Sequence, residues 1–403
     1  MSSRPKIFEF LGLKRGVLAL LGMVILVGMG EKMAERFLPI YILALGGGAM
    51  AVGLLNGLDN LLSALYSFPG GYLSDRLGYK RALLVFNLVA MTGYLVVILV
   101  PHWIAVILGS VLFLSWSAIS LPASMDLISR VLPPAKRTMG VSMHSLVRRI
   151  PMALGPVVGG SLIQLYGTMT GIRLAFGVAL LMGAISLVMQ QALLEGAKER
   201  RTAGEAERNP FRLLGLMSPS FRNLLVSDIL IRFCEQIPYA FVVVWCLQEA
   251  GVTPIQFGIL TTVEMVTAML VYVPVAYLAD RGTKKPFVVI TFGFFTLFPL
   301  ALLFSRSFGV LLIVFILRGL KEFGEPTRKA LILDLAPERK KAGMFGAYYL
   351  ARDVVVSLAA FGGAFLWSLS PAVNLLAAFG FGVVGTLCFA LYGKDLSSDP
   401  NTR

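Results

Sequence analysis

Long apolar segments alternate with short charged or glycine- and proline-rich connections along the whole sequence. Residues 16–30 (GVLALLGMVILVGMG) and 82–100 (ALLVFNLVAMTGYLVVILV) contain no charged side chain. Segments of about twenty apolar residues match the hydrocarbon core of a bilayer, which is about 30 Å thick. We therefore predict an all-α membrane protein with twelve transmembrane helices, at residues 16–43, 49–74, 82–100, 103–130, 139–166, 171–193, 222–248, 254–279, 287–304, 308–335, 340–368 and 372–392.

The composition agrees with this class and excludes a soluble protein. Of the 403 residues, 57% are hydrophobic and 14% are charged, whereas about 25% of the residues in a soluble globular protein are charged. The first apolar segment is too long for a signal peptide and continues into the charged stretch EKMAER, so we expect it to remain as the first helix. Cys234, Cys246 and Cys388 lie in apolar segments without metal or disulfide spacing, so we expect no metal site.

Basic residues accumulate on alternate connections between the predicted helices. Lysine and arginine are enriched on the cytoplasmic side of membrane proteins, so both termini are expected to be cytoplasmic in a multi-pass inner-membrane protein. The net charge of +14 is then expected to face anionic lipid headgroups rather than nucleic acid. The clusters are Arg76, Lys80 and Arg81; Arg130, Lys136 and Arg137; the basic residues of 198–222; Arg281, Lys284 and Lys285; and Arg339, Lys340 and Lys341.

The two halves of the chain are similar to each other. GYLSDRLGYKRALLV, from Gly71, resembles AYLADRGTKKPFVV, from Ala276. The charged stretch EGAKERRTAGEAERNP separates the sixth and seventh predicted helices. Internal repeats of six helices are typical of transporters built from two bundles around a midplane site. We therefore predict one bundle at residues 1–193, a cytoplasmic linker at 194–221 and a second bundle at 222–403.

The stretch from Gly71 to Lys80 resembles the G-x-L-x-D-R-x-G-R-K signature of the major facilitator superfamily, with Tyr79 departing from the usual basic residue. This resemblance implies two pseudo-symmetric six-helix bundles that work by alternating access. It also implies a cytoplasmic gate, in which glycine permits close helix approach and a tight turn and the carboxylates bind basic partners. The gate candidates are Gly71, Asp75, Arg76, Gly78, Lys80, Asp280 and Arg281.

A second motif lies in the fifth predicted helix. Gly155, Pro156, Gly159 and Gly160 resemble the G-P-x-x-G-G core of exporters that exchange substrate for protons. An ordinary packing face is the alternative, because small residues let helices approach closely. This chain departs from the proton-coupled drug exporters in the fourth helix, where those exporters carry an arginine and this chain has Leu114. The repeat places Arg318 at the equivalent position of the tenth helix.

Many ionisable residues fall inside the predicted helices, where each must be paired or hydrated because an isolated charge is costly in a bilayer. We expect about half of them to form interhelix ion pairs and the others to line a substrate or proton pathway. Glu31 and Glu235 hold nearly equivalent positions in the two halves and are the first candidates for carrying protons. The pathway candidates are Glu31, Glu35, Asp59, Asp126, Arg148, Asp228, Arg232, Glu235, Glu264, Arg318, Lys321, Glu325 and Arg352.

These patterns favour a monomeric secondary transporter that exports an amphipathic organic solute in exchange for protons. The alternatives are a transporter of organic anions or zwitterions, since Arg318 and Lys321 suit a carboxylate or phosphate, and a non-transporting receptor on the same scaffold. An enzyme is disfavoured because the two histidines, His102 and His144, are far apart. Without a nucleotide-binding motif, we expect no cofactor and an energy source in a proton or sodium gradient.

Overall fold

The computed structural model describes residues 15–77, 79–113, 124, 144, 147–193, 214–279, 283–335 and 341–394. These residues are almost entirely helical, and none of them lies in a β-strand. Before residue 194 the helices are α1 (Arg15–Glu35), α2 (Leu38–Ala44), α3 (Ala49–Leu77), α4 (Tyr79–Leu99), α5 (Trp103–Phe113) and α6 (Arg149–Leu193). The later helices are α7 (Pro219–Tyr239), α8 (Val242–Val244), a π-helical turn (Trp245–Glu249), α9 (Pro254–Ala279), α10 (Lys285–Leu303), α11 (Phe308–Leu320), α12 (Glu325–Leu335), α13 (Lys341–Leu369) and α14 (Pro371–Tyr392).

Two helices, α7 and α14, begin at a serine cap followed by proline, a signal that is visible in the sequence. The hydroxyl of Ser218 accepts a hydrogen bond from the backbone N–H of Phe221 (3.3 Å), and that of Ser370 accepts one from Ala372 (3.2 Å). A proline follows each serine in the first turn, where its missing N–H leaves no hydrogen bond unmade. These signals account for the starts of α7 and α14.

Three helices predicted as continuous are broken, and one of them, 308–335, ends at Leu320 and restarts at Glu325. The predicted helix 16–43 ends at Glu35 and restarts at Leu38, with Pro39 in the first turn of α2. The predicted helix 222–248 bends by 42° between α7 and the segment Val242–Glu249, just after Pro238. Proline removes a hydrogen bond from the helix and clashes with the preceding turn, so a bend near it has a direct cause.

The described residues contain six helices that are long and apolar enough to cross a membrane, or seven if the bent pair is one span. Two shorter apolar helices, Trp103–Phe113 and Phe308–Leu320, belong to predicted spans 103–130 and 308–335. The predicted helices 139–166 and 171–193 meet in α6 at Gly167, whose positive φ of 78° leaves helical geometry. The prediction of an all-α membrane protein is confirmed.

The described chain forms two compact units. The first comprises the described parts of residues 15–47, 62–193 and 253–259, and the second those of 48–61, 214–252 and 260–394. The core of the second unit is aromatic, with the buried rings of Phe221 and Tyr348 stacked at 5.5 Å and those of Phe292 and Phe389 edge to face at 5.5 Å. Charged side chains lie beside this core, and the hydroxyl of Tyr348 contacts one of them, Asp228.

Candidate functional site

The second unit holds nine charged residues in a line in which basic and acidic side chains alternate. They lie on α7, α9, α11, α12 and α13 and in the turn between α11 and α12. Each neighbouring pair has nitrogen and oxygen atoms within 4.0 Å. We call this line the charge chain, and its order is Arg352, Asp228, Arg328, Glu325, Arg232, Glu235, Lys321, Glu264 and Arg318.

One end of the charge chain is built around Asp228, which is fully buried. Its Oδ2 atom accepts hydrogen bonds from the Arg328 guanidinium, from the Tyr348 hydroxyl (2.8 Å) and from Nη1 of Arg352 (3.3 Å). Arg352 also donates from Nε to Asp353 (2.7 Å). A buried carboxylate is stabilised only when hydrogen-bonded donors surround it, and Asp228 meets that condition.

The middle of the charge chain joins α7 to α12. Arg328 donates from Nη2 to both carboxylate oxygens of Glu325, each at 2.8 Å. Arg232 bridges two acids, with Nη2 at 3.4 Å from Glu325 Oε2 and Nη1 at 2.6 Å from Glu235 Oε2. Asp228, Arg232 and Glu235 reach this line together because spacings of four and three residues place them on one face of α7.

The other end of the charge chain borders a narrow pocket of about 10 Å³, which has room for about one water molecule. Lys321 Nζ lies 2.7 Å from Glu235 Oε1 and 3.6 Å from Glu264 Oε1, and Arg318 Nε lies 3.3 Å from the same Glu264 oxygen. Charged and apolar side chains therefore meet at this pocket. The pocket is lined by Glu235, Val242, Phe295, Phe298, Arg318 and Lys321.

In the first unit, α1 carries a smaller charged group. Lys32 binds two carboxylates, with Nζ at 3.1 Å from Glu31 Oε1 and in contact with Glu35. Glu31 is 2% exposed, and its Oε2 atom has no hydrogen-bond partner among the described residues. Lys32 therefore binds one carboxylate oxygen of Glu31, and the other oxygen accepts no hydrogen bond from the described residues. Arg148 is half-buried in the turn that precedes α6.

The G-P-x-x-G-G motif packs directly against this group. A Cβ atom at Gly159 would lie 1.8 Å from the carbonyl oxygen of Met33, and one at Gly155 would lie 2.9 Å from the carbonyl carbon of Lys32. A Cβ atom at Gly160 would lie 2.4 Å from the carbonyl oxygen of Pro254. Only glycine permits such contacts, so the motif fixes the segment of α1 that carries Glu31.

The other predicted residues are spread along the chain. Asp59 is half-buried on α3, which also contains Gly71, Asp75 and Arg76. Lys80 is the second residue of α4, and its Nζ donates to the Gln191 carbonyl oxygen at 2.9 Å. Four predicted site residues lie outside the described residues: Gly78, Asp126, Asp280 and Arg281.

The structure adds polar residues that we did not predict from the sequence. Tyr348 hydrogen-bonds to Asp228 and lies one turn before Arg352 on α13. Its spacing of four residues from Arg352 was the feature of the sequence that could have identified it. Gln236 lies next to Glu235 and accepts a hydrogen bond from Asn60 at its side-chain oxygen (3.1 Å) and from Asn56 at its backbone oxygen (3.3 Å). Amides in an apolar segment indicate interhelix hydrogen bonds.

Comparison with known proteins agrees with this architecture. A sequence model of the Major Facilitator Superfamily matches residues 20–234 and 224–402. The uncharacterised MFS-type transporter MJ1317 of Methanocaldococcus jannaschii is 20% identical over 355 residues, which cover 86% of this chain and 87% of that protein. Quinolone resistance protein NorA of Staphylococcus aureus is 23% identical over 211 residues, about half of each chain (52% and 53%).

Solved structures of transporters have the same fold. A variant of the nucleoside transporter NupG superposes with a TM-score of 0.79 at 13% identity, covering 94% of this chain and 100% of the other. A variant of the peptide transporter POT in complex with alafosfalin gives a TM-score of 0.75 at 15% identity, covering 94% and 95%. At such low identity the likeness concerns the fold alone.

Proposed function

The chain belongs to the Major Facilitator Superfamily, and from that premise we propose that it exports an amphipathic organic solute in exchange for protons. Membership makes it a multi-pass membrane transport protein rather than an enzyme. The solute, the direction of transport and the proton are the parts that we propose.

The environment of Glu31 carries the proposal of proton coupling. A proton-carrying carboxyl group must bind and release a proton during each cycle, so it needs an oxygen that no fixed cation occupies. Glu235 accepts a charge-assisted hydrogen bond at each oxygen, from Arg232 (2.6 Å) and Lys321 (2.7 Å). Glu31 instead has one oxygen beside Lys32 and one buried oxygen without a hydrogen bond to any residue in the described part of the chain. We therefore favour Glu31 as the proton carrier and assign Glu235 to ion pairing.

Three observations support export of an amphipathic solute. The G-P-x-x-G-G motif, which resembles that of proton-exchanging exporters, lies against the segment of α1 that holds Glu31. The pocket beside Arg318 combines charged side chains with the rings of Phe295 and Phe298. A relative that aligns over about half of this chain is named for quinolone resistance.

The remaining parts of the proposal follow from the sequence. We propose that the protein works as a monomer in the inner membrane with both termini in the cytoplasm, where its basic connections face anionic lipids. Its energy source is then the proton gradient, with sodium as the alternative ion. It needs no cofactor for this work.

Proton flux in proteoliposomes tests the proposal. The purified protein is reconstituted with a pH-sensitive dye inside and is given ethidium or 2-naphthoate as solute. We expect solute-dependent proton movement in the opposite direction, and we expect Glu31→Gln to abolish it while solute counterflow, which needs no gradient, continues. Glu249→Gln, at a carboxylate that is 43% exposed, is the matched control and should behave as wild type. Proton-driven transport that persists in Glu31→Gln contradicts the assignment.

A further inference from the structure

Glu31 and Tyr94 each have a buried polar atom without a hydrogen-bond partner in the part of the chain that the structure describes. The atoms are Glu31 Oε2 on α1 and the hydroxyl oxygen of Tyr94 on α4, and both residues are 2% exposed. Buried polar groups are almost always hydrogen-bonded, to the protein or to an ordered water molecule, because an unmade bond is costly. The proposed proton carrier and a tyrosine therefore share the same deficit.

Glu31 and Tyr94 lie beside the same turn of α6. A Cβ atom at Gly30, the residue before Glu31, would lie 2.9 Å from the Cα atom of Ala179. The ring of Tyr94 lies 5.7 Å from that of Phe176, measured between ring centres. Phe176 precedes Ala179 by three residues, which is about 4.5 Å along a helix. Glu31 and Tyr94 are therefore at nearly the same depth along α6.

A second contact shows that α1 and α4 face each other along these positions. Nδ2 of Asn87 on α4 lies 3.9 Å from Sδ of Met23 on α1. Tyr94 follows Asn87 by seven residues, and Gly30 follows Met23 by seven residues. Seven residues make nearly two helical turns, so the members of each pair lie on one face of their helix. Tyr94 is therefore on the face of α4 that α1 approaches, level with the start of the Glu31 segment.

Charged and titratable groups face Glu31 from three parts of the first unit. Lys32 and Glu35 lie on α1 itself, Arg148 lies in the turn before α6, and Tyr94 on α4 is within electrostatic reach of Glu31 and Glu35. Lys32 already binds Glu31 at Oε1 (3.1 Å) and contacts Glu35. A carboxylate oxygen that lacks a donor and a hydroxyl group that lacks a partner are complementary.

We propose that Tyr94 positions Glu31 for proton exchange, because its hydroxyl supplies the hydrogen bond that Glu31 Oε2 lacks. This inference rests on the proposed role of Glu31 as the proton carrier and adds the residue that positions it. The two atoms do not bond each other directly, so the connection that we assign is one water molecule, which needs two to four polar partners. The rings of Phe113 (5.1 Å) and Phe176 (5.7 Å), both fully buried, hold the Tyr94 ring in place. Hydrogen bonds to a charged carboxylate favour the charged form, so this bond helps Glu31 to release its proton.

Infrared spectroscopy of the purified protein in lipid tests the inference without any proton gradient. The carbonyl stretching band of protonated carboxyl groups is followed while the pH is raised, and the band that is missing in Glu31→Gln belongs to Glu31. In Tyr94→Phe we expect the midpoint of this band to rise by about 0.5–1 pH unit, which is about a three- to tenfold tighter hold on the proton. The pH at which proton-driven transport is half-maximal in proteoliposomes should rise by the same amount.

Tyr66→Phe is the matched control, because it removes the hydroxyl of another tyrosine in the first unit. That hydroxyl donates to the backbone oxygen of Val111 at 3.4 Å, so the variant should keep the wild-type midpoint. Melting temperatures in detergent identify any variant that has unfolded. The wild type alone gives a second measurement: water labelled with heavy oxygen should shift an O–H stretching band of bound water, and Glu31→Gln should remove that band.

The outcomes distinguish this inference from the proposed function. An unchanged midpoint in folded Tyr94→Phe, or an equal rise in Tyr66→Phe, overturns the inference, even if Glu31→Gln abolishes proton-coupled transport. A midpoint that depends on Tyr94 supports the inference, even if no solute is exported in exchange for protons. The absence of a water band that Glu31→Gln removes overturns the bridging water. If Glu31→Gln removes no carboxyl band, Glu31 exchanges no proton and both proposals fail.

Discussion

Replacing Asp228 by asparagine is expected to destabilise the protein by about 3 kcal/mol. Removal of one partner of a buried ion pair costs about 3–5 kcal/mol, because the other charge is left buried. In this variant Arg328 keeps Glu325 at 2.8 Å and Arg352 keeps Asp353 at 2.7 Å. Both arginines thus retain a carboxylate, which places the expected loss at the lower end of that range.

Arg328→Gln should be more damaging, at about 4–5 kcal/mol, because Arg328 is fully buried and hydrogen-bonds to both Asp228 and Glu325. The double variant removes both members of one pair, so its loss should be smaller than the sum of the single losses. Coupling between residues in direct contact is about 0.5–3 kcal/mol, and we expect at least about 1 kcal/mol here.

Equilibrium unfolding by sodium dodecyl sulfate in mixed micelles, followed by circular dichroism, gives these free energies. Tyr348→Phe is the control for a neutral donor to the same carboxylate, and it should lose only about 1 kcal/mol, since interhelix hydrogen bonds in membranes contribute about 0.6 kcal/mol on average. A free energy of unfolding for Asp228→Asn within about 0.5 kcal/mol of wild type, or strictly additive losses in the double variant, would refute the reasoning.

Two further predictions concern packing and backbone hydrogen bonds. Gly159→Ala should destabilise the protein by about 3 kcal/mol or more, because its Cβ atom would lie 1.8 Å from the Met33 carbonyl oxygen. Gly177→Ala, with no atom within 4 Å of the added Cβ, should be neutral or slightly stabilising in the same unfolding assay. Thr291→Val removes the acceptor of the Gly324 N–H (2.6 Å) and should cost about 1–3 kcal/mol, because that donor stays buried; wild-type stability would contradict this.

The hydrophobic pattern predicted where most helices lie, because a bilayer imposes the same apolar length on every span. The predicted span 254–279 coincides with α9, and 372–392 begins one residue inside α14. The breaks near Pro39 and Pro238 were missed, since a proline inside an apolar run either kinks a membrane helix or is tolerated, and only packing decides between these results.

The charged residues were predicted from their cost in the bilayer, but their partners were not. Glu31 and Glu235 looked equivalent by position, yet two cations bind Glu235 and only Lys32 binds Glu31 in the described residues. That difference arises because the turn between α11 and α12 brings Lys321 to Glu235, while Arg232 lies on α7 itself. A single sequence does not show which helices pack together, and for the same reason Tyr348 did not stand out from the other tyrosines.

The turn at residues 321–324 separates two rigid helices. Its amides bond at a spacing of three residues, from Glu322 to Gly319 (3.2 Å) and from Phe323 to Leu320 (2.9 Å), so the regular ladder of α11 stops there. Small changes in the dihedral angles of four residues therefore swing α11 against α12 without melting either helix. We therefore expect any change of direction between α11 and α12 to occur at this turn, with both helices kept intact.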